Sequence, residues 1–242
     1  MKNSMVSSLN KLSGWLSIHE GIFLYWAAQM IRNIQGTIVE IGSFQGKSTI
    51  FLAKSNQEVH AIDPHEGKLD LGTKMSPTLA AFKKNIADFN VASSIILIQK
   101  KSSDAVKEWK GGIKLLFIDG LHDDINAQFD YENWTPFLVD GGVVAMHDAF
   151  CGWEGAQKVA LEQIILNDEY YEVGVVGSIV YGIKGVSTIP TKINRLRIRS
   201  CVRLAYWLQK QKTIPSFLIF FLIHRMIKLC MINQFTVGFL FL

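Results

Sequence analysis

Five short, mostly apolar runs constrain this chain more than any other feature: Thr37 to Ile41, Val59 to Ile62, Ser94 to Ile98, Ile113 to Ile118 and Gly142 to Met146. Continuous Val/Ile/Leu runs of this length, as opposed to alternating ones, belong to strands covered on both sheet faces. Helix-like segments lie between them. Lys47 to Lys54 follows a glycine turn, Ser76 with Pro77 supplies a cap and first-turn pair ahead of "TLAAFKKNIADF", and Ser103 opens "DAVKEW". Strands alternating with helices require right-handed crossovers, which predicts an α/β fold with a doubly wound, mostly parallel sheet. After Asp148 the pattern changes to a helix over Trp153 to Leu166, then two runs, Tyr170 to Val176 and Ser178 to Ile183, around Gly177. So short a connection predicts an antiparallel pair at one sheet edge. The domain is expected to span residues 1–184, with N-terminal helices over 1–36.

A chain of 242 residues with 49% hydrophobic content can bury one sizeable core, and 19% charged residues exclude a disordered chain. The net charge of +4 and the absence of an aromatic, glycine-rich RNA-binding pattern argue against a nucleic-acid partner. Cys151, Cys201 and Cys230 form no close pair, so neither a disulfide framework nor a zinc knuckle is expected, and a reducing cytoplasm is the default location. The opening "MKNSMVSSLNKLSGW" lacks the apolar core of a secretory signal. Residues 185–242 differ in kind. Lysines and arginines interleave with apolar residues over Thr191 to Lys212, and His224, Arg225 and Lys228 break the apolar run from Ile214 to Leu242. Those pieces are too short to span a bilayer, which leaves two readings: a basic amphipathic segment on a membrane surface, or helices packing on the domain or in a homodimer.

The first predicted turn, "IVEIGSFQGKSTIFLA", contains Gly42, Gly46, Lys47 and Ser48. A triphosphate-binding P-loop needs four residues between its first glycine and Gly-Lys-Ser/Thr; here only Ser43, Phe44 and Gln45 intervene. Asp63 ends the second strand about twenty residues further on, where a carboxylate can accept both hydroxyls of a ribose. Glu40 beside the turn would repel a pyrophosphate but suits a ligand carrying an amine or sulfonium charge; the alternative is a carboxylate capping local donors.

The runs "EIGSFQGKSTIFLA", "AIDPH", "FIDGLHDD" and "WTPFLVDGGVVAMHDAF", with "GWLSIHEGIFLYWAA", "GWEGAQKVALEQ" and "VGVVGSIVYGIK", resemble the class I S-adenosylmethionine-dependent methyltransferases. More narrowly they resemble methyltransferase family 24, related to metal-assisted O-methyltransferases of sugar and natural-product pathways. The resemblance covers roughly Gly14 to Lys184 and implies a seven-stranded Rossmann-like sheet whose last strand is antiparallel. It also implies that Glu40, Gly42 and Gly46, with Ser43 between the glycines, line the methionine part of S-adenosyl-L-methionine. Asp63 would hold the ribose and Ser102 and Ser103 would lie near the adenine.

Asp119 and Asp148 end the fourth and fifth predicted strands and so project into one crevice beside the cofactor. With His122 and His147 they could hold a divalent ion such as magnesium, which would orient an acceptor's hydroxyls. The resemblance implies acids after the fifth strand; this chain has His147-Asp148 there, a pair that also suits a softer metal. Candidate ligands are therefore Asp119, Asp148 and His147. His122 is the candidate general base, with Asp119 beside it, because an imidazole titrates near neutral pH; its alternative role is to hydrogen-bond the helix start at Asp123. His60 and His65 are expected at the surface or cofactor rim, and Trp134 and Trp153 as walls of an acceptor pocket or as packing. The expected activity is O-methylation of a small hydroxylated acceptor. A nicotinamide-dependent oxidoreductase or a catalytically silent membrane-associated scaffold on the same fold are the competing readings.

Overall fold

The computed structural model describes residues 3–67, 76–151 and 153–185, with Leu196 and Ser200 beyond them. The tail expected over residues 185–242 lies almost wholly outside the described residues. Two helices open the chain, α1 (Asn3–Asn10) and α2 (Ile18–Met30), followed by β1 (Thr37–Ile41), α3 (Lys47–Ala53), β2 (Val59–Ile62) and α4 (Leu79–Asp88). Then come β3 (Ile95–Ile98), α5 (Ser102–Glu108), β4 (Ile113–Ile118), α6 (Asp124–Trp134) and β5 (Leu138–Met146). A short α7 (Glu154–Lys158) continues as a π-helix over Val159–Ile165 before β6 (Tyr170–Val176) and β7 (Ile179–Lys184).

The seven strands form one sheet in the order β3-β2-β1-β4-β5-β7-β6. Strands β1 to β5 pair in parallel, whereas β7 runs antiparallel to both β5 and β6 and is inserted between them. The predicted hairpin at one edge is therefore present, with the final strand inside it. All six residues of β4 are buried, as expected for a strand covered on both faces. Leu116 and Ile118 join a core with α6 and the π-helical segment; Leu115 and Phe117 join the opposite core with α2, α3 and α4.

Several expected boundaries shift. β5 begins at Leu138, four residues before the predicted Gly142, because the chain bulges through Gly141 and Gly142 while still pairing: Ile113 opposes Leu138, but Leu115 opposes Val143. Helix α4 is capped by Thr78, without a side-chain bond, and Ser76 and Pro77 lie ahead of it. Lys101, in place of Ser103, occupies the N-cap of α5. The helix predicted from Trp153 takes Trp153 as its N-cap and changes to π spacing after Lys158. Helix α2 starts with a capping box, in which Ser17 Oγ accepts from Glu20 N and Glu20 Oε2 accepts from Ser17 N.

Candidate active site

Strands β1 and β4 are neighbours whose crossovers leave in opposite directions, β1 toward β2 and β4 toward β5. Their carboxyl ends therefore open the crevice in which ligands of such sheets bind. The sheet ladder continues into the loops: Gly42 N donates to Ile62 O, Asp119 N to Ile41 O, and His147 N to Ile118 O, at 2.8, 2.9 and 3.0 Å. Side chains at 40–46, 63, 119–122 and 147–148 are thus presented together on a rigid rim.

At Gly42 the backbone has φ +87°, and a Cβ there would sit 2.0 Å from Asp119 O. Only glycine lets the β1 turn pass the end of β4 this closely. Phe44 and Asp148, both on the crevice loops, adopt positive φ values of 46° and 55° without being glycine.

Glu40 is fully buried; Thr49 Oγ1 donates to its Oε2 at 2.5 Å, and Oε1 has no hydrogen-bond partner. Burial raises its pKa to about 8, and the charges of Asp119 and Asp63 push the same way against the hydroxyls of Ser48 and Thr49. Burial thus favours the neutral form of the Glu40 carboxyl. Ser43 Oγ, in the same turn, is also buried without a partner. Asp63 accepts from Phe44 N (2.8 Å, Oδ2) and His65 N (2.6 Å, Oδ1), which ties the glycine turn to the end of β2. Ser102 donates to Asp130, a buried carboxyl of α6 whose pKa burial raises to about 6. Ser103 is half-buried on the first turn of α5.

Asp119, His122, His147 and Asp148 converge as expected, each offering a ligand atom within 4.8 Å of the others. His147 Nδ1 lies 2.9 Å from Asp119 Oδ1 and 3.5 Å from Asp148 Oδ1; His122 Nε2 lies 3.6 Å from Asp119 Oδ1 and 3.5 Å from Asp148 Oδ2. His122 also stacks on Trp153, with centroids 5.7 Å apart and planes at 26°. Asp123 caps α6 with its own carboxylate, accepting from Ile125 N and Asn126 N, so His122 is not needed for that role.

One residue of this site was missed at the sequence level. Glu20 of α2 is buried, accepts from Ser178 N (2.6 Å) and Ser178 Oγ (2.8 Å) in the β6–β7 turn, and faces His147 Nε2 at 3.6 Å. Burial alone would raise the Glu20 pKa, but the neighbouring His147 and hydrogen bonds from Ser17 and Ser178 outweigh it and hold the group well below the usual carboxylate range. His147 responds in the opposite sense: burial would lower its pKa, and Asp119, Asp148 and Glu20 together raise it well above the ordinary value. The signal for Glu20 was its capping box, Ser17-Ile-His-Glu20, which marks a helix start but not a site.

Other candidates take different positions. Trp134 is fully buried against Trp109 in the core and cannot wall a pocket. His65 is buried beneath Phe82 with Nδ1 on Thr78 Oγ1 at 2.8 Å, contrary to a surface position. His60, half-buried, pairs with Glu58.

Residues 39–149 match the family model described as a methyltransferase domain, methyltransferase family 24. Among solved structures, the chain is similar to an O-methyltransferase from Bacillus cereus in complex with SAH: 18% identity, TM-score 0.56, 76% of this chain and 92% of that one. It is also similar to the O-methyltransferase TomG from Streptomyces achromogenes in complex with SAM, at 16% identity and TM-score 0.55 over 75% and 89% of the two chains. For the O-methyltransferase NovP the values are 14% and 0.61 over 69% and 80%. At these identities the structural likeness establishes the fold.

Proposed function

We propose that this chain, with its class I methyltransferase fold and its family 24 match over residues 39–149, transfers a methyl group from S-adenosyl-L-methionine to an oxygen of a small hydroxylated acceptor such as a sugar, glycan or natural product. The observation that carries this reading is the convergence of Asp119, His122, His147 and Asp148 beside the Gly42 turn, at the point where the strand order reverses. A nicotinamide oxidoreductase needs none of these four groups at that point. A silent scaffold has no use for the strained backbone at Phe44 and Asp148.

Asp63 keeps lone pairs available for ribose hydroxyls while its two backbone bonds hold it still. Ser102, anchored by Asp130, and Ser103 stand at the start of α5 for the adenine. The glycine turn receives the methionine part, where a sulfonium would draw out the charge of Glu40. Methyl transfer is then an in-line displacement: the sulfur–methyl bond breaks as the acceptor oxygen forms its bond to the same carbon, and the hydroxyl proton passes to His122 Nε2. Asp119 and Asp148, 3.6 and 3.5 Å from that nitrogen, stabilise the imidazolium that results. Asp119, His147 and Asp148 fit a divalent ion in donor type and spacing, which leaves His122 as the base, and when bound such an ion would orient acceptor hydroxyls and lower their pKa. The domain is assigned to residues 1–184 and 185–242 to a separate basic, apolar tail. No helix among the described residues is long and apolar enough to cross a membrane; cytoplasmic location and tail contact with a membrane surface or a second subunit belong to the same proposal.

The test is incubation with labelled methyl donor and a panel of glycans and phenols, with and without chelator, alongside calorimetry of S-adenosylhomocysteine. Asp63→Ala is expected to abolish donor binding, and His122→Ala to spare it while slowing turnover by about 10²–10⁴-fold. Binding of a nicotinamide dinucleotide with no affinity for S-adenosylhomocysteine would refute the assignment.

A further inference from the structure

His147 follows β5 directly, its ring is 99% buried, and its two nitrogens meet different surroundings. Nδ1 lies 2.9 Å from Asp119 Oδ1 and 3.5 Å from Asp148 Oδ1, whereas Nε2 lies 3.6 Å from Glu20 Oε2. Among the described residues no other carboxylate lies within ion-pair distance of Nε2, and that buried nitrogen makes no hydrogen bond. A buried imidazole nitrogen left in this state costs free energy, and the gap to Glu20 is only slightly longer than a hydrogen bond, so a small rotation of the ring joins the two. Glu20 itself is fixed. It accepts from Ser17 N, Ser178 N and Ser178 Oγ at 2.7, 2.6 and 2.8 Å. The β6–β7 turn makes room for it through Gly177, at φ +61°, where a Cβ would stand 2.4 Å from Glu20 Oε1. Gly21, the next residue, seats α2 closely on α3, since a Cβ there would meet the Phe51 ring at 2.2 Å. A helix cap and a turn tether account for the bonds to Ser17 and Ser178; they leave the approach of Oε2 to His147 unexplained.

We propose that Glu20 is a positioning residue for His147: its Oε2 accepts a hydrogen bond from the imidazole Nε2–H and so turns the Nδ1 lone pair toward Asp119 and Asp148. In a metal-ligating histidine, the nitrogen that binds is set by the hydrogen bond that the other nitrogen makes, and a carboxylate in that place also makes the imidazole a better donor. This rests on the reading of Asp119, His147 and Asp148 as ligands of a divalent ion. It adds to them a residue from the second helix of the chain that touches neither ion nor acceptor and acts through the imidazole alone.

The experiment titrates the full chain with zinc alone, by calorimetry, in wild type, Glu20→Gln and Ser17→Ala. Ser17→Ala removes the hydroxyl that accepts from Glu20 N and leaves the carboxylate in place, so it reports what loosening the start of α2 does by itself. Glu20→Gln is expected to weaken zinc by about 10- to 100-fold, whereas Ser17→Ala lowers the Tm and leaves zinc affinity unchanged. Proton–nitrogen correlation spectra of the zinc-loaded proteins give a readout independent of affinity: the His147 Nε2–H resonance shifts in Glu20→Gln and stays in place in Ser17→Ala. If Glu20→Gln does not fold, Glu20→Asp, whose carboxylate stops one methylene short of His147, is expected to show the same loss in smaller measure. The proposal is overturned if Glu20→Gln binds zinc as tightly as wild type, or if Ser17→Ala loses as much. A wild-type chain that binds no zinc brings down the metal reading and this role together, and its binding of S-adenosylhomocysteine then reports separately on the methyltransferase reading.

Discussion

Replacing Glu20 tests whether the site is held from the N-terminal helix. The carboxylate receives Ser17 N at 2.7 Å, Ser178 N at 2.6 Å and Ser178 Oγ at 2.8 Å, and faces His147 Nε2 at 3.6 Å. Hydrogen bonds to a charged group are each worth about 1.5–3 kcal/mol, but they share one carboxylate and do not add. Removing one partner from a buried charged cluster costs about 3–5 kcal/mol, because the remaining groups stay buried and unpaired. For a domain of this size that corresponds to a fall in Tm of about 6–20 °C. Glu20→Ala is expected to lose this amount at pH 7, and Glu20→Gln less, since the amide keeps the shape and one acceptor. The pH dependence follows from the depressed pKa. A carboxylate held below its ordinary value of 4.5 stabilises the fold above that pH and loses the contribution as pH falls toward the folded value. The gap between wild type and Glu20→Ala in chemical denaturation should therefore be full at pH 7 and shrink below about pH 4.5. A difference under about 1 kcal/mol at pH 7, or one that is constant with pH, would refute the reasoning.

Two further outcomes are expected. Gly42→Ala places a Cβ 2.0 Å from Asp119 O at φ +87°, so the β1 and β4 ends must separate; a loss of more than about 3 kcal/mol in denaturation, together with loss of nucleoside binding, is the expected result. Glu40, whose folded pKa is raised to about 8, contributes stability that is complete below its ordinary 4.5 and lost as pH rises through 8. Glu40→Gln should flatten the decline in Tm of the ligand-free protein between pH 6 and pH 9, and an unchanged decline would show that another group causes it.

The parts of the fold that could be read in the sequence are those governed by local pattern. β1, β2 and β4 begin and end where their apolar runs do, because strands covered on both faces stay mostly apolar until the chain leaves the sheet. Asp63 and Asp119 were legible for the same reason, each being the first polar residue past its strand, and Asp148 follows His147 one place further on. The start of β5 was hidden because Gly141 and Gly142 read as a turn, and only pairing with β4 keeps them in the sheet. Trp134 was open to two readings, pocket wall or packing, because sequence does not say which way an aromatic at a helix end faces; full burial against Trp109 decides for packing. Glu20 escaped because its partners, Ser178 and His147, are more than a hundred residues away, and a capping box accounts for a Ser-x-x-Glu without them.

The insertion of β7 between β5 and β6 carries a consequence for synthesis on the ribosome. Until residues 179–184 have left the exit tunnel, β5 has an open flank and β6 has no strand to pair with, and the Glu20 anchor across to Ser178 cannot form. A nascent chain stopped short of Ile179 therefore displays the unpaired backbone of Val143 to Met146 to any neighbouring chain. Holdase chaperones should be retained on such arrested chains and released once the last strand has slid into its slot.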